Sequence, residues 1–250
     1  MRLLIVALLA AITFSAAAQQ GTETVRALTV SVGANHAPPY RIIQGGEPSG
    51  LYVEIFKEIT DRLGWKTHYR EVPFRRVLNL LQKGEVDVML GARETSEREA
   101  YMTFVVPAFP ADRRLFLYFD DANRIERYSD LYGKTIGVLE GSTYFRKFDN
   151  DRQLRKEPAP RYENLMLMME KGRVDVVVVP ELIGIYTLRE LGMPVKISPF
   201  FVPGERSWIA VAKASPVLEY EDDIRAAFKL IEAEGIYEDL VLKYLDQYAQ

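Results

Sequence analysis

Arg93 and Arg98 stand five residues apart and enclose Glu94-Thr95-Ser96-Glu97. A guanidinium is suited to gripping a carboxylate, because its planar fork makes two parallel charge-assisted hydrogen bonds. Arg75 and Arg76, directly after Phe74, add further positive charge. Adjacent helix residues point about 100° apart, so one of the two can face a site while the other faces solvent. Gly141-Ser142-Thr143 reads as a strand-to-helix turn. Free N–H groups at a helix start attract anions, and the two hydroxyls add donors. Glu181 carries the positioned carboxyl group that general-acid chemistry requires. His36 and His68 are isolated, and two lone histidines do not make a metal site. The chain has no cysteine, which excludes disulfides, thiol catalysis and a lipid anchor on an N-terminal cysteine. No nucleophile–base pair or Gly-rich phosphate loop stands out, so no catalytic residue, metal or cofactor is expected.

An internal echo shows how these residues are positioned. Leu80-Leu81-Gln82-Lys83-Gly84-Glu85-Val86-Asp87-Val88 resembles Met168-Met169-Glu170-Lys171-Gly172-Arg173-Val174-Asp175-Val176. Each copy reads as the end of an amphipathic helix, a Gly stop and a β-branched strand. Val174 to Val179 shows no alternation, as in a parallel sheet covered by helices on both faces. One copy in each half predicts an α/β chain of two Rossmann-like lobes. Ala27 to Gly33 opens the first lobe, and Ser49 is placed to cap a helix over residues 51–63. Lys134 to Leu139 opens the second lobe, and Ser207 to Ala212 returns to the first. The expected limits are residues 19–115 and 205–250 for the first lobe and 116–204 for the second. Crossings near residues 112–122 and 198–208, marked by Asp120-Asp121 and by Pro199 to Pro203, would form a double hinge. Ligands of open α/β sheets sit beyond the carboxyl ends of the strands. That rule puts Gly91 to Arg98 on one wall of the cleft and Pro180-Glu181 on the other.

The N-terminus and the charge bound the setting. Met1-Arg2, an apolar run from Leu3 to Phe14 and Ala16-Ala17-Ala18 follow the three-part plan of a secretory signal. The run is shorter than the about 20 residues of a spanning helix. Cleavage after Ala18 is expected, which leaves a soluble periplasmic chain. The formal charge of −3 becomes −4 when Arg2 leaves. A mildly acidic chain lacks the basic footprint of a nucleic-acid binder.

The order of motifs resembles the family 3 extracellular solute-binding proteins, the type II periplasmic receptors for polar amino acids. Ala37-Pro38-Pro39-Tyr40, Gly50-Leu51-Tyr52-Val53-Glu54, Gly84-Glu85-Val86-Asp87, Thr95-Ser96-Glu97-Arg98 and Asp130 to Val138 followed by Gly141-Ser142 carry the likeness over residues 27–247. The resemblance implies that Arg98 grips a ligand carboxylate and that Gly141, Ser142 and Thr143 meet the same group from the second lobe. It also implies that Tyr40 and Phe74 sandwich the ligand side chain. Gly91, Arg93, Glu181, Arg75 and His36 complete the expected site. It implies a monomeric receptor that delivers its ligand to a membrane permease of the ABC type.

Two positions depart from the amino-acid binders of that family. Arg93 stands where they place Ser or Thr, and Pro180 stands where they place the Asp that pairs the ligand ammonium, with Glu181 one residue later. Two readings follow. The ligand is an anion such as a dicarboxylate or an acidic amino acid, or Arg93 is neutralised by Glu94, Glu97 or Glu181 and latches the lobes. Exported dehydratases of cyclohexadienyl substrates resemble the same family, so an enzyme using Glu181 is an alternative. A sensory module for a membrane signalling partner is another.

Overall fold

The structure is a computed structural model and describes residues 28–249. The expected signal, residues 1–18, and the expected strand start at Ala27 lie outside the described residues. Ten strands form two five-stranded sheets. The first holds β1 (Thr29–Ala34), β2 (Lys66–Glu71), β3 (Val88–Ala92), β4 (Met102–Phe109) and β10 (Ser207–Ala212), in the order β2-β1-β3-β10-β4. The second holds β5 (Arg114–Tyr118), β6 (Thr135–Leu139), β7 (Arg155–Ala159), β8 (Val176–Pro180) and β9 (Lys196–Val202), in the order β7-β6-β8-β5-β9.

The two sheets share a plan. In each, three parallel strands meet one antiparallel strand that has just crossed from the other lobe: β10 in the first and β5 in the second. The crossings make both sheets mixed rather than purely parallel. Val176, Val177, Val178 and Val179 of β8 are all fully buried, which explains their unbroken apolar run.

The sequence echo has a physical basis. Helices α2 (Phe74–Gln82) and α5 (Tyr162–Glu170) end near Gly84 and Gly172, whose φ angles of 68° and 65° favour glycine. The two glycine N–H groups donate to Leu81 O and Met169 O, each at 3.0 Å. Asp87 then binds Ser31 twice: its N–H donates to Ser31 O at 2.8 Å, and its Oδ2 accepts from Ser31 N at 2.7 Å. Asp175 repeats both bonds with Thr135 at the same distances. The repeated Asp therefore ties the strand after each Gly to the first strand of its own lobe.

Several expectations are corrected. The cap of α1 (Leu51–Arg62) is Gly50, not the Ser49 side chain. The Leu51 and Tyr52 N–H groups donate to Pro39 O at 3.0 Å and Tyr40 O at 2.9 Å, so loop carbonyls satisfy the helix start. A side chain at Gly50 would meet Tyr40 O at 2.7 Å. The chain crosses between sheets at residues 110–113 and 203–206, and Arg114 and Leu115 pair within the second sheet. Asp120-Asp121 lies beyond β5 and Pro199 within β9, so neither sits in a crossing. The chain closes with α7 (Glu221–Ala233) and α8 (Ile236–Ala249), separated near Gly235 as expected. Among the described residues, no helix is long and apolar enough to cross a membrane.

Candidate functional site

Strand β3 ends at Ala92 and leads through Arg93 into the short helix α3 (Ser96–Glu99). Thr95 caps that helix, accepting from Arg98 N at 3.3 Å. The turn folds Arg98 inward until only 3% of the residue is exposed. Its guanidinium donates to Arg93 O at 2.9 Å and, across the cleft, to Gly141 O at 3.0 Å. It also lies 5.7 Å from the centre of the Phe74 ring. Arg93 crosses the cleft too, donating to Tyr144 O and to Glu205 Oε2 at the rim, the latter at 2.8 Å. Burial lowers the pKa of both guanidiniums, yet arginine keeps its charge at any ordinary pH.

The loop pinned on the start of α1 supplies an aromatic wall. Tyr40 stacks on Tyr52 with ring centres 4.3 Å apart, and Tyr52 stacks on Phe109 at 4.0 Å. The Tyr40 hydroxyl donates to Asp112 Oδ2 at 2.5 Å. Burial pushes the Asp112 carboxyl up to about 6, against the lowering pull of the Tyr40 hydrogen bond and the Arg114 charge. Arg41, beside Tyr40, is buried and donates to Leu90 O and Asn35 Oδ1, each at 3.0 Å. Arg114, at the start of β5, is buried as well and donates to Asp112 O at 2.6 Å.

The second lobe closes the cavity with Ser142, Thr143 and Tyr144. The expected helix start is not there. Helix α4 (Arg146–Asn150) begins three residues after Thr143 and is one short turn. Ser142 N–H is already used by Leu139 O at 3.0 Å, and Tyr144 N–H by the Asp149 carboxylate at 3.0 and 3.1 Å. The Tyr144 ring is buried in the core of the second lobe, where its hydroxyl accepts from Leu139 N–H at 2.8 Å. What this turn offers is a side chain. Thr143 Oγ1 is buried and, among the described residues, has no hydrogen-bond partner.

Of the residues singled out in the sequence, Arg98, Arg93, Tyr40, Phe74, Gly91, Ser142 and Thr143 line one cavity between the lobes. Gly141 lies behind them, packed on Arg75. Arg75 itself is exposed and approaches Glu140 at 3.6 Å, an ion pair across the cleft mouth. Glu181 is held outside the cavity by Arg113, whose Nε donates to Glu181 Oε2 at 2.7 Å. His36 accepts from Ile43 N–H at 3.2 Å and borders a different surface cavity. His68 lies in β2. Among the described residues, no three His, Cys, Asp or Glu side chains gather as a metal site.

Sequence reasoning missed Arg41, Arg114 and Asp112, all lining the same cavity. Arg41 follows the Ala-Pro-Pro-Tyr run that was singled out, so its position carried a signal. Asp112 sits in the crossing and Arg114 is the first residue of β5, where no motif marks them.

Comparison with known proteins gives a consistent result. The profile of the bacterial extracellular solute-binding proteins, family 3, matches residues 28–247. The arginine-binding extracellular protein ArtP of Bacillus subtilis is 23% identical over 245 residues, covering 94% of this chain and 92% of that one. The histidine-binding periplasmic protein of Escherichia coli K12 is 22% identical, covering 98% of each. Among solved structures, an ancestral arginine-binding protein bound to arginine superposes with a TM-score of 0.74 at 24% identity, covering 86% of this chain and 97% of that one.

Proposed function

The chain belongs to the bacterial extracellular solute-binding proteins of family 3, and we propose that it captures a small carboxylate-bearing solute, an amino acid or a related organic anion, by closing its two lobes. One observation carries this reading. A buried guanidinium of the first lobe, Arg98, and a buried unpartnered hydroxyl of the second, Thr143, line the same cavity. Both are donors, and a carboxylate offers acceptors to both at once. Neither lobe holds the pair alone, so the ligand is gripped fully only when the cleft shuts. A ligand that favours the closed state shifts the population toward it.

The relatives named above are receptors for amino acids, and by that likeness the loaded form is proposed to dock on an ABC-type permease as a monomer in the periplasm. The signal proposed for residues 1–18 would take the chain there. The enzyme reading has lost its candidate acid, since Glu181 is engaged by Arg113 outside the cavity. A receptor without turnover is therefore proposed.

A thermal-shift screen over amino acids, dicarboxylates and opines tests it. At 100 times Kd, a ligand bound only by the native state adds about 2.7 kcal/mol. For a chain of this size that raises the melting temperature by roughly 5–10 °C. No shift with any carboxylate in the panel would count against the proposal.

A further inference from the structure

Among the described residues, three buried arginines line the cavity and donate no hydrogen bond to a carboxylate. Arg41, Arg98 and Arg114 are exposed to 6%, 3% and 6% respectively. Among the described residues, the hydrogen-bond acceptors of Arg41 are Asn35 O, Asn35 Oδ1 and Leu90 O. Those of Arg98 are Arg93 O and Gly141 O, and that of Arg114 is Asp112 O. All are neutral oxygens. The fourth arginine of the cavity, Arg93, is paired with Glu205 at the rim. Asp112 is the buried carboxyl group here, and its Oδ2 is taken by the Tyr40 hydroxyl.

The charges do not balance within the protein. Three guanidiniums face at most one buried carboxylate, and arginine cannot shed its proton to escape. Carbonyl oxygens satisfy some donors but cancel no charge. Arg114 commits one N–H of its five, which leaves most of its fork unused. Burying uncompensated charge is costly, so the closed form is incomplete without an anion. A neutral zwitterionic amino acid brings one negative and one positive charge and leaves the sum unchanged. A solute with two acidic groups supplies what is lacking.

We propose that the ligand carries two acidic groups, one received by Arg98 with Thr143 and the second by Arg114 with Arg41. This rests on the carboxylate-receptor reading above and narrows it to dicarboxylates and acidic amino acids. An additional amine is tolerated, because ionised Asp112 can receive it.

Calorimetry on the mature chain tests the proposal with matched pairs: L-glutamate against L-glutamine, L-aspartate against L-asparagine, and glutarate and succinate as diacids without the amine. Diacids are expected to bind at least about 30-fold tighter than their amides, the scale of losing one partner of a buried charge pair. Arg114→Gln is expected to erase most of that ratio, with its melting transition checked alongside. Equal affinity for diacid and amide in the unaltered protein overturns the proposal and leaves the receptor reading standing. So does a ratio that survives both Arg114→Gln and Arg41→Gln. A panel in which no carboxylate binds overturns both readings together.

Discussion

Arg98→Met is expected to weaken ligand binding at least about 30-fold, because truncating one partner of a buried charge pair costs about 2–5 kcal/mol and each 1.4 kcal/mol is tenfold. The side chain is buried, lies on the Phe74 ring and bonds carbonyls from both lobes. Its loss removes the fork proposed to meet the ligand and a bond that spans the cleft to Gly141 O. Arg98→Lys separates the two contributions. Lysine keeps the charge but is a point donor without the planar fork. An intermediate loss is expected from it, with a larger fall for the ligand than for the melting temperature of the ligand-free chain. If Arg98→Met binds the same ligands as tightly as the unaltered chain, Arg98 is not the carboxylate anchor. Titration calorimetry and thermal melting read the two effects independently.

The second large effect falls where the chain crosses between lobes. Gly204 lies in one crossing and Asp112 in the other. A Cβ on Gly204 would stand 1.6 Å from Asp112 O and 2.4 Å from Asp112 C. Those are backbone atoms, so no side-chain rotation relieves the overlap, and the two crossings must separate. Gly204→Ala is therefore expected to cost about 3 kcal/mol or more. That lowers the melting temperature by roughly 6–12 °C for a chain of this size. The disturbance reaches the cavity, because Asp112 also receives the Tyr40 hydroxyl and the Arg114 guanidinium. Gly133→Ala is the matched control. Its φ is 81°, but nothing lies within 4 Å of an added methyl group, so only the backbone cost of about 1–2 kcal/mol applies. Equal effects from the two substitutions would mean that the crossings are not packed as described.

The fold was legible where pattern and chemistry coincide. The paired Lys-Gly-x-Val-Asp-Val units mark real structure, with Gly at a left-handed helix end and Asp bonded to the neighbouring strand in both lobes. The elements that escaped were those whose residues lack a periodic signal. Strand β9 contains Pro199 and alternates little, so it read as a connection although it is the edge of the second sheet. The site was legible in part for the same reason. Arg98 and Thr143 sit in motifs with a recognisable order, while Asp112 enters the cavity from a crossing and Arg114 from the first position of β5 just after it, where the geometry depends on both lobes together. Glu181 shows the converse. Its place at the end of β8 suggested a ligand contact, but Arg113, 68 residues earlier in the chain, reaches it first. A local motif records its own strand end and not the partner that folding delivers.

Closure around a bound solute is the central claim, and small-angle X-ray scattering tests it most directly. The protein is measured alone and with the tightest ligand from the calorimetric panel at saturation. If the cavity arginines lack a counter-charge as proposed, the ligand-free lobes part, so addition of ligand is expected to reduce the radius of gyration and the maximum dimension together. An unchanged scattering curve, with calorimetry showing the site filled, would contradict capture by closure.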